Sequence, residues 1–156
     1  QGNVDNWKRL KKFLSIFEKT HMLYKKSIIW PIHPRTLKVL KQNKYIINSS
    51  KIIFTKPLNF FDFVNLEKDA KCVLTDSGTV QEECAIFKTP VITLRKTTER
   101  PETIESGSNF TIDSDINKIE KSIELACNLK KYITAPDEYL CKNVSQKIVK
   151  ILMNNN

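Results

Sequence analysis

No cysteine in this chain belongs to a C-x-x-C pair, and only two histidines occur, so a metal site is not expected. Cys72, Cys84, Cys127 and Cys141 stand far apart, and three of them lie in apolar stretches, where a free thiol behaves as a small hydrophobe. No apolar run is long enough to span a bilayer, and no signal peptide is visible, so no membrane partner is expected. Unpaired thiols then make a reducing, cytoplasmic setting the expectation. There is no RNA-binding or zinc-finger pattern, no internal repeat, no linker, and no low-complexity stretch beyond Asn154-Asn155-Asn156.

The chain has 156 residues, 40% of them apolar, which suits one globular domain spanning 1–156. The formal net charge is +9, a value compatible with nucleic-acid, membrane or anionic small-molecule partners. The lysines are scattered, however, and most sit beside apolar residues in helical patterns, as at Lys8, Lys11, Lys12, Lys118 and Lys121. That distribution reads as compositional drift, and no nucleic-acid partner is expected.

Two hydrophobic periods alternate along the chain. Val4, Trp7, Leu10, Leu14 and Phe17 recur at three or four and predict a first helix. A short apolar strand follows at 27–31, a helix at 35–42, a strand at 51–55 and a helix at 60–69, with Phe60 and Val64 on one face. The alternation continues with a strand at 71–75, a helix at 79–87 with Val80, Cys84 and Phe87 inward, and strands at 91–94 and 108–112. Ile116, Ile119, Ile123 and Ala126 mark another helix, and Val144, Ile148 and Leu152 the last. Strands of this kind alternating with helices predict βαβ units: an α/β, Rossmann-like parallel sheet with helices on both faces.

Ligands of such sheets bind beyond the carboxyl ends of the strands. The turn Thr75-Asp76-Ser77-Gly78-Thr79 leads from a buried strand into a helix. Its glycine permits close backbone approach, its helix-start amides favour an anion, and Ser77 and Thr79 add hydroxyls. Thr79 and Glu82 also fit a helix capping box, a plainer account that needs no ligand and is preferred on spacing alone. Glu83 can accept hydrogen bonds from a ribose diol, or Gln81-Glu82-Glu83 can be a solvated polar face. The loop from Arg95 to Glu102 carries two arginines, two threonines and a lysine, which suits phosphate, though ion pairs with Glu99 and Glu102 account for it equally well. His33, held between Pro31-Ile32 and Pro34, is rigidly presented; a lone histidine is more often structural than catalytic.

Taken together these segments resemble the non-hydrolysing UDP-N-acetylglucosamine 2-epimerases. Thr75-Asp76-Ser77-Gly78, Gln81-Glu82-Glu83, Lys88-Thr89-Pro90-Val91 and Leu94 through Glu102 follow that family's order and spacing. Pro31-Ile32-His33-Pro34, the stretch from Pro57-Leu58 to Phe63, and Asn3-Val4 match as well. The resemblance covers nearly the whole chain. It implies the C-terminal half of a glycosyltransferase-B-like two-domain fold that binds a UDP-sugar in its cleft. It places Phe63 near uracil, Ser77, Gly78 and Thr79 on the diphosphate, Glu83 on the ribose hydroxyls, Arg100 towards the sugar diphosphate, and His33 on a cleft loop. The implied reaction interconverts UDP-GlcNAc and UDP-ManNAc, for cell-surface polysaccharide precursors, by eliminating UDP to a glycal and adding it back. It needs no metal or nicotinamide cofactor. The family's catalytic carboxylates belong to an N-terminal domain absent from residues 1–156, so no catalytic residue is assigned here, and the complete protein is expected to be a homodimer. A UDP-sugar glycosyltransferase domain and a catalytically dead nucleotide-sugar-binding module are the alternatives.

Three departures stand out. Gln1-Gly2 replaces the family's arginine and glutamate, Thr79 replaces the second glycine of the diphosphate turn, and Tyr139-Leu140-Cys141-Lys142 stands where the family has Tyr-Gly-Asp-Gly. The family's first, central strand also lies before residue 1. Its absence is expected to leave two unpaired inner edges, making residues 1–156 alone marginal or aggregation-prone.

Overall fold

The computed structural model of the chain describes residues 6–46, 52–112 and 115–154. Gln1-Gly2, Asn3-Val4 and Lys51 fall outside them. The described residues form five strands and seven α-helices, all of them expected from the hydrophobic pattern except the short helix Pro101–Glu105.

The first helix, α1 (Trp7–Tyr24), starts at Asn6, whose side chain accepts the Arg9 amide at 3.2 Å. It ends at Lys25 in the left-handed conformation. It buries Leu10, Phe13, Leu14, Ile16 and Phe17, a wider stripe than the period alone suggests. Strand β1 (Ile28–Pro31) follows, then α2 (Pro34–Gln42), β2 (Ile52–Thr55) and α3 (Phe60–Asp69), which Asn59 caps through the Asp62 amide at 2.9 Å. Next come β3 (Val73–Thr75), α4 (Gly78–Phe87), β4 (Val91–Thr93), the short α5 (Pro101–Glu105) and β5 (Asn109–Thr111). The chain closes with α6 (Ile116–Leu129), two short 3-10 turns, and α7 (Val144–Asn154).

All pairings are parallel, but the described strands form two ladders. Ile28 pairs Ile52 in β1–β2, while Val73 pairs Val91 and Val91 pairs Asn109 in β3–β4–β5. Side chains alternate across a strand, and the two faces of the larger sheet show it. Leu74 and Ile92 join the main core with α1, α2 and α6, whereas Val73 and Val91 pack with Phe63, Val80 and Cys84 beneath α3 and α4. Helices thus cover both faces, and Val91 and Ile92 of the central strand are fully buried. The main core contains residues of both ladders, including Ile52, Phe54 and Ile92, so one hydrophobic cluster binds them together.

The helix α7 differs from the rest. Val144, Ile148, Val149, Ile151 and Leu152 are all at least half exposed, and no residue of α7 is buried. No helix among the described residues is long and apolar enough to cross a membrane.

Candidate functional site

The candidate site lies where β3 and β4 end. Thr75 closes β3, and its hydroxyl accepts the Ser77 amide at 3.0 Å, folding the chain sharply into α4. Ser77 is the N-cap of α4 yet makes no side-chain capping bond, and the first turn carries no acidic residue. The capping box expected from Thr79 and Glu82 is therefore not formed: Thr79 lies inside the helix and is exposed, and Glu82 bonds elsewhere. A helix start without a capping side chain keeps amides and a positive dipole end available to an anion.

Glu82 binds Arg100. Its carboxylate accepts from the Arg100 Nε, while Arg100 Nη1 donates to the Glu99 carbonyl oxygen at 3.1 Å. The ion pair raises the guanidinium pKa above its ordinary value. The loop, for which phosphate binding and ion pairs with Glu99 and Glu102 were equally open, folds back over the turn and pairs Arg100 with Glu82. Pro101 starts α5 there, and the Glu102 carboxylate takes a hydrogen bond from the Tyr139 hydroxyl, which lowers the Glu102 pKa. Within the divergent stretch 139–142, Tyr139 thus fastens a 3-10 turn to α5.

Arg100 lies against Gly78. A methyl group at residue 78 would meet the guanidinium at 3.6 Å, an ordinary van der Waals contact. Gly78 has no positive φ, so neither its backbone nor the approach of Arg100 excludes a small side chain. The variant Gly78→Ala is accordingly expected to fold with a stability change within about 1 kcal/mol, measured by urea unfolding. A larger loss would mean that the turn does not tolerate a side chain.

Beneath the turn runs a buried polar network that the sequence reading missed. Gln81 is 1% exposed, so Gln81-Glu82-Glu83 is not a solvated face. The Gln81 Nε2 donates to the Ser77 carbonyl oxygen at 3.1 Å, and its Oε1 accepts from Thr98 Oγ1 and from Asn109 Nδ2. Asn109 Oδ1 accepts from Thr93 Oγ1 at 2.7 Å, and its Nδ2 also reaches Thr103 Oγ1 at 3.0 Å. Thr98 Oγ1 in turn accepts the Arg100 amide at 3.0 Å. One glutamine therefore joins the turn before α4 to the loop that delivers Arg100. Buried and bonded at both ends of its amide, it fixes their mutual geometry.

Phe63 is half-buried on α3 and packs with Val73 on the Val80, Cys84 and Val91 cluster, beside α4. Glu83 is half-buried on α4 and faces Glu67 of α3, which is 3% exposed. Burial, with the neighbouring Glu83 carboxylate, pushes the Glu67 carboxyl up to about 8. Burial likewise pushes the Cys84 thiol well up, with Glu67 and Glu83 adding to it, so it is a packing residue and no nucleophile. His33 is exposed and acts as the N-cap of α2, its Nδ1 accepting the Arg35 amide at 3.2 Å. The structure thus gathers Ser77, Gly78, Thr79 and Arg100 at one turn, with Glu83 and Phe63 along the adjoining helices. His33 is placed after β1, in the other ladder. Among the described residues no cluster of three His, Cys, Asp or Glu side chains could hold a metal ion.

This geometry can hold a diphosphate at the α4 N-terminus under a guanidinium, with a carboxylate further along the helix for a diol. Comparison with known proteins gives the same direction. A sequence model of the family described as UDP-N-acetylglucosamine 2-epimerase matches residues 1–153. The chain is 44% identical over 132 residues to the UDP-N-acetylglucosamine 2-epimerase of Methanocaldococcus jannaschii, covering 83% of this chain and 36% of that protein. It is 34% identical over 140 residues to the Bacillus subtilis enzyme, covering 90% and 33%. Its fold matches the crystal structure of the M. jannaschii enzyme in complex with UDP-GlcNAc and UDP with a TM-score of 0.86 at 41% identity, covering 97% of this chain and 42% of that one. The Neisseria meningitidis enzyme bound to UDP-GlcNAc gives 0.76 at 25% identity, covering 93% and 40%. The chain thus spans about a third of the length of the curated relatives it matches.

Proposed function

The chain belongs to the UDP-N-acetylglucosamine 2-epimerase family, and we propose that it is the UDP-holding half of such an enzyme. The observation that carries this reading is Arg100 held on Gly78 at the start of α4, a helix with no capping side chain. In this reading the diphosphate sits on the backbone at Ser77, Gly78 and Thr79 and faces Arg100. Glu83 accepts from the ribose hydroxyls, and Phe63 lies beside the uracil. His33 borders the cleft, its Nδ1 already engaged in capping α2.

The chemistry follows from what these groups stabilise. Epimerisation at C2 by elimination expels UDP from C1, so negative charge grows on the diphosphate as the C1–O bond breaks. Helix-start amides and a fixed guanidinium meet that charge without having to reorganise. Held in place, the same UDP adds back to the glycal once the proton at C2 has been delivered from the opposite face. Proton removal and return require acids and bases from the other half of the cleft. This chain supplies binding and leaving-group stabilisation, in a glycosyltransferase-B-like two-domain protein working as a homodimer in the cytoplasm.

The sheet supports the domain reading. β1 pairs only β2, and β3 pairs only β4, among the described strands. One further parallel strand between β1 and β3 would join both ladders into a continuous six-stranded sheet over the core they already share, and we assign it to this same domain, as its first strand.

Amide chemical shifts during titration with UDP test the assignment. The expected result is saturable movement at Ser77, Gly78, Thr79 and Arg100, with smaller shifts for UMP, which lacks the second phosphate. Movement confined to other parts of the chain would contradict it.

A further inference from the structure

We propose that Glu67 and Glu83 hold one proton between them, and that Glu67, as its carrier, is the positioning residue that presents Glu83 to the ribose diol. The inference rests on the reading of Glu83 given above and adds to it a residue and a pH dependence.

Glu67 is the one buried residue of α3. Both of its carboxylate oxygens are buried with no donor in reach, and the group that faces them is the Glu83 carboxyl of α4. Two carboxylates only accept, so as a pair of anions neither satisfies the other and both repel. A single proton between them turns this repulsion into a short, charge-assisted O–H···O⁻ bond. The other titratable group at hand is Cys84, also from α4, whose thiol is held neutral by burial and is itself near Cys72 before β3. Among the described residues no cation is hydrogen-bonded to the Glu67 carboxylate, and Lys68, next to it in sequence, lies over the Phe87 ring at 5.7 Å. A proton is what remains to compensate Glu67.

Glu67 is the deeper of the two and keeps the proton. Its carboxyl, raised to about 8 by burial first and by Glu83 second, donates to one Glu83 oxygen. Glu83 accepts that bond and is pinned in orientation, with its remaining lone pairs open to two hydroxyls. Removing the proton above that range leaves two facing anions, and Glu83 loses its donor and its orientation.

The test is calorimetric UDP affinity of this chain between pH 6.5 and 9.5 for the wild type, Glu67→Gln and Glu67→Leu, with folding checked by circular dichroism. The wild type is expected to lose about tenfold in affinity between pH 7 and 9.5, the scale of one hydrogen bond to a charged group. Glu67→Gln, whose amide donates to Glu83 at every pH, should match the wild type at pH 7 and keep that affinity to pH 9.5. Titration of the ligand itself affects both proteins alike and cancels. Glu67→Leu should bind about tenfold more weakly throughout, and its rescue by glutamine separates donation from mere packing. Parallel pH profiles for wild type and Glu67→Gln would overturn the shared proton while leaving the UDP site standing. A folded wild type that binds no UDP at any pH would instead remove the reading of the site, and this inference with it.

Discussion

Replacing Gln81 by leucine is expected to destabilise the chain by about 3 kcal/mol, through a polar network and not through lost volume. The two side chains are similar in size, so the packing of α4 on β4 survives. What disappears is every bond that the Gln81 amide makes: the donation to the Ser77 carbonyl oxygen and the acceptance from Thr98 and Asn109. Asn109 is 2% exposed and cannot turn to water for a replacement partner. Buried donors left without acceptors carry their full desolvation penalty, about 1–3 kcal/mol each. Chemical unfolding measures the loss. A cost below about 1 kcal/mol would show that the network relaxes onto other partners, and that Gln81 does not hold the turn.

The second large effect is a pH-dependent stabilisation by Glu67→Gln. The Glu67 carboxyl titrates near its ordinary value, 4.5, in the unfolded chain and is raised to about 8 by burial and by Glu83 in the folded one. A raised carboxyl pKa means that the folded state prefers the protonated form. Its contribution is fully present below pH 4.5, declines as the pH rises through 8, and is then gone. Glutamine is uncharged throughout and undergoes no such decline. The stability of Glu67→Gln relative to wild type should therefore climb between pH 4.5 and 8 and level off above it. The climb is expected to be on the order of 3 kcal/mol, read from denaturant midpoints across that range. A flat difference would mean that Glu67 is solvated in the folded chain.

Much of the fold was legible because the strands are short, nearly continuous apolar runs between helices with clear stops. The helix from Phe60 to Asp69 and the strand ending at Thr75 came directly from such patterns. The Rossmann-like class and the turn at Ser77-Gly78 were legible for the same reason. Less legible was everything decided by partners distant in sequence. Gln81 reads as part of a solvated helix face, since only Asn109, 28 residues later, and Thr98 make it an interior group. Glu67 reads as an ordinary helix carboxylate until α3 packs on α4 and sets it against Glu83. The partner of Arg100 was left open between phosphate and its own loop, because only the path of the chain after β4 brings it over Gly78 to Glu82. The division of the described strands into two ladders, β1–β2 and β3–β4–β5, is not written in the hydrophobic pattern, which reads as one sheet.

The central claim is that this chain carries a uridine-diphosphate site built on α4. The most direct test is calorimetric titration of UDP into the wild type and into Glu83→Ala at pH 7. Saturable binding by the wild type, weakened at least tenfold in the variant and undisturbed by excess ADP, is the predicted result. Equal affinity in both proteins, or displacement by ADP as readily as by UDP, would contradict it.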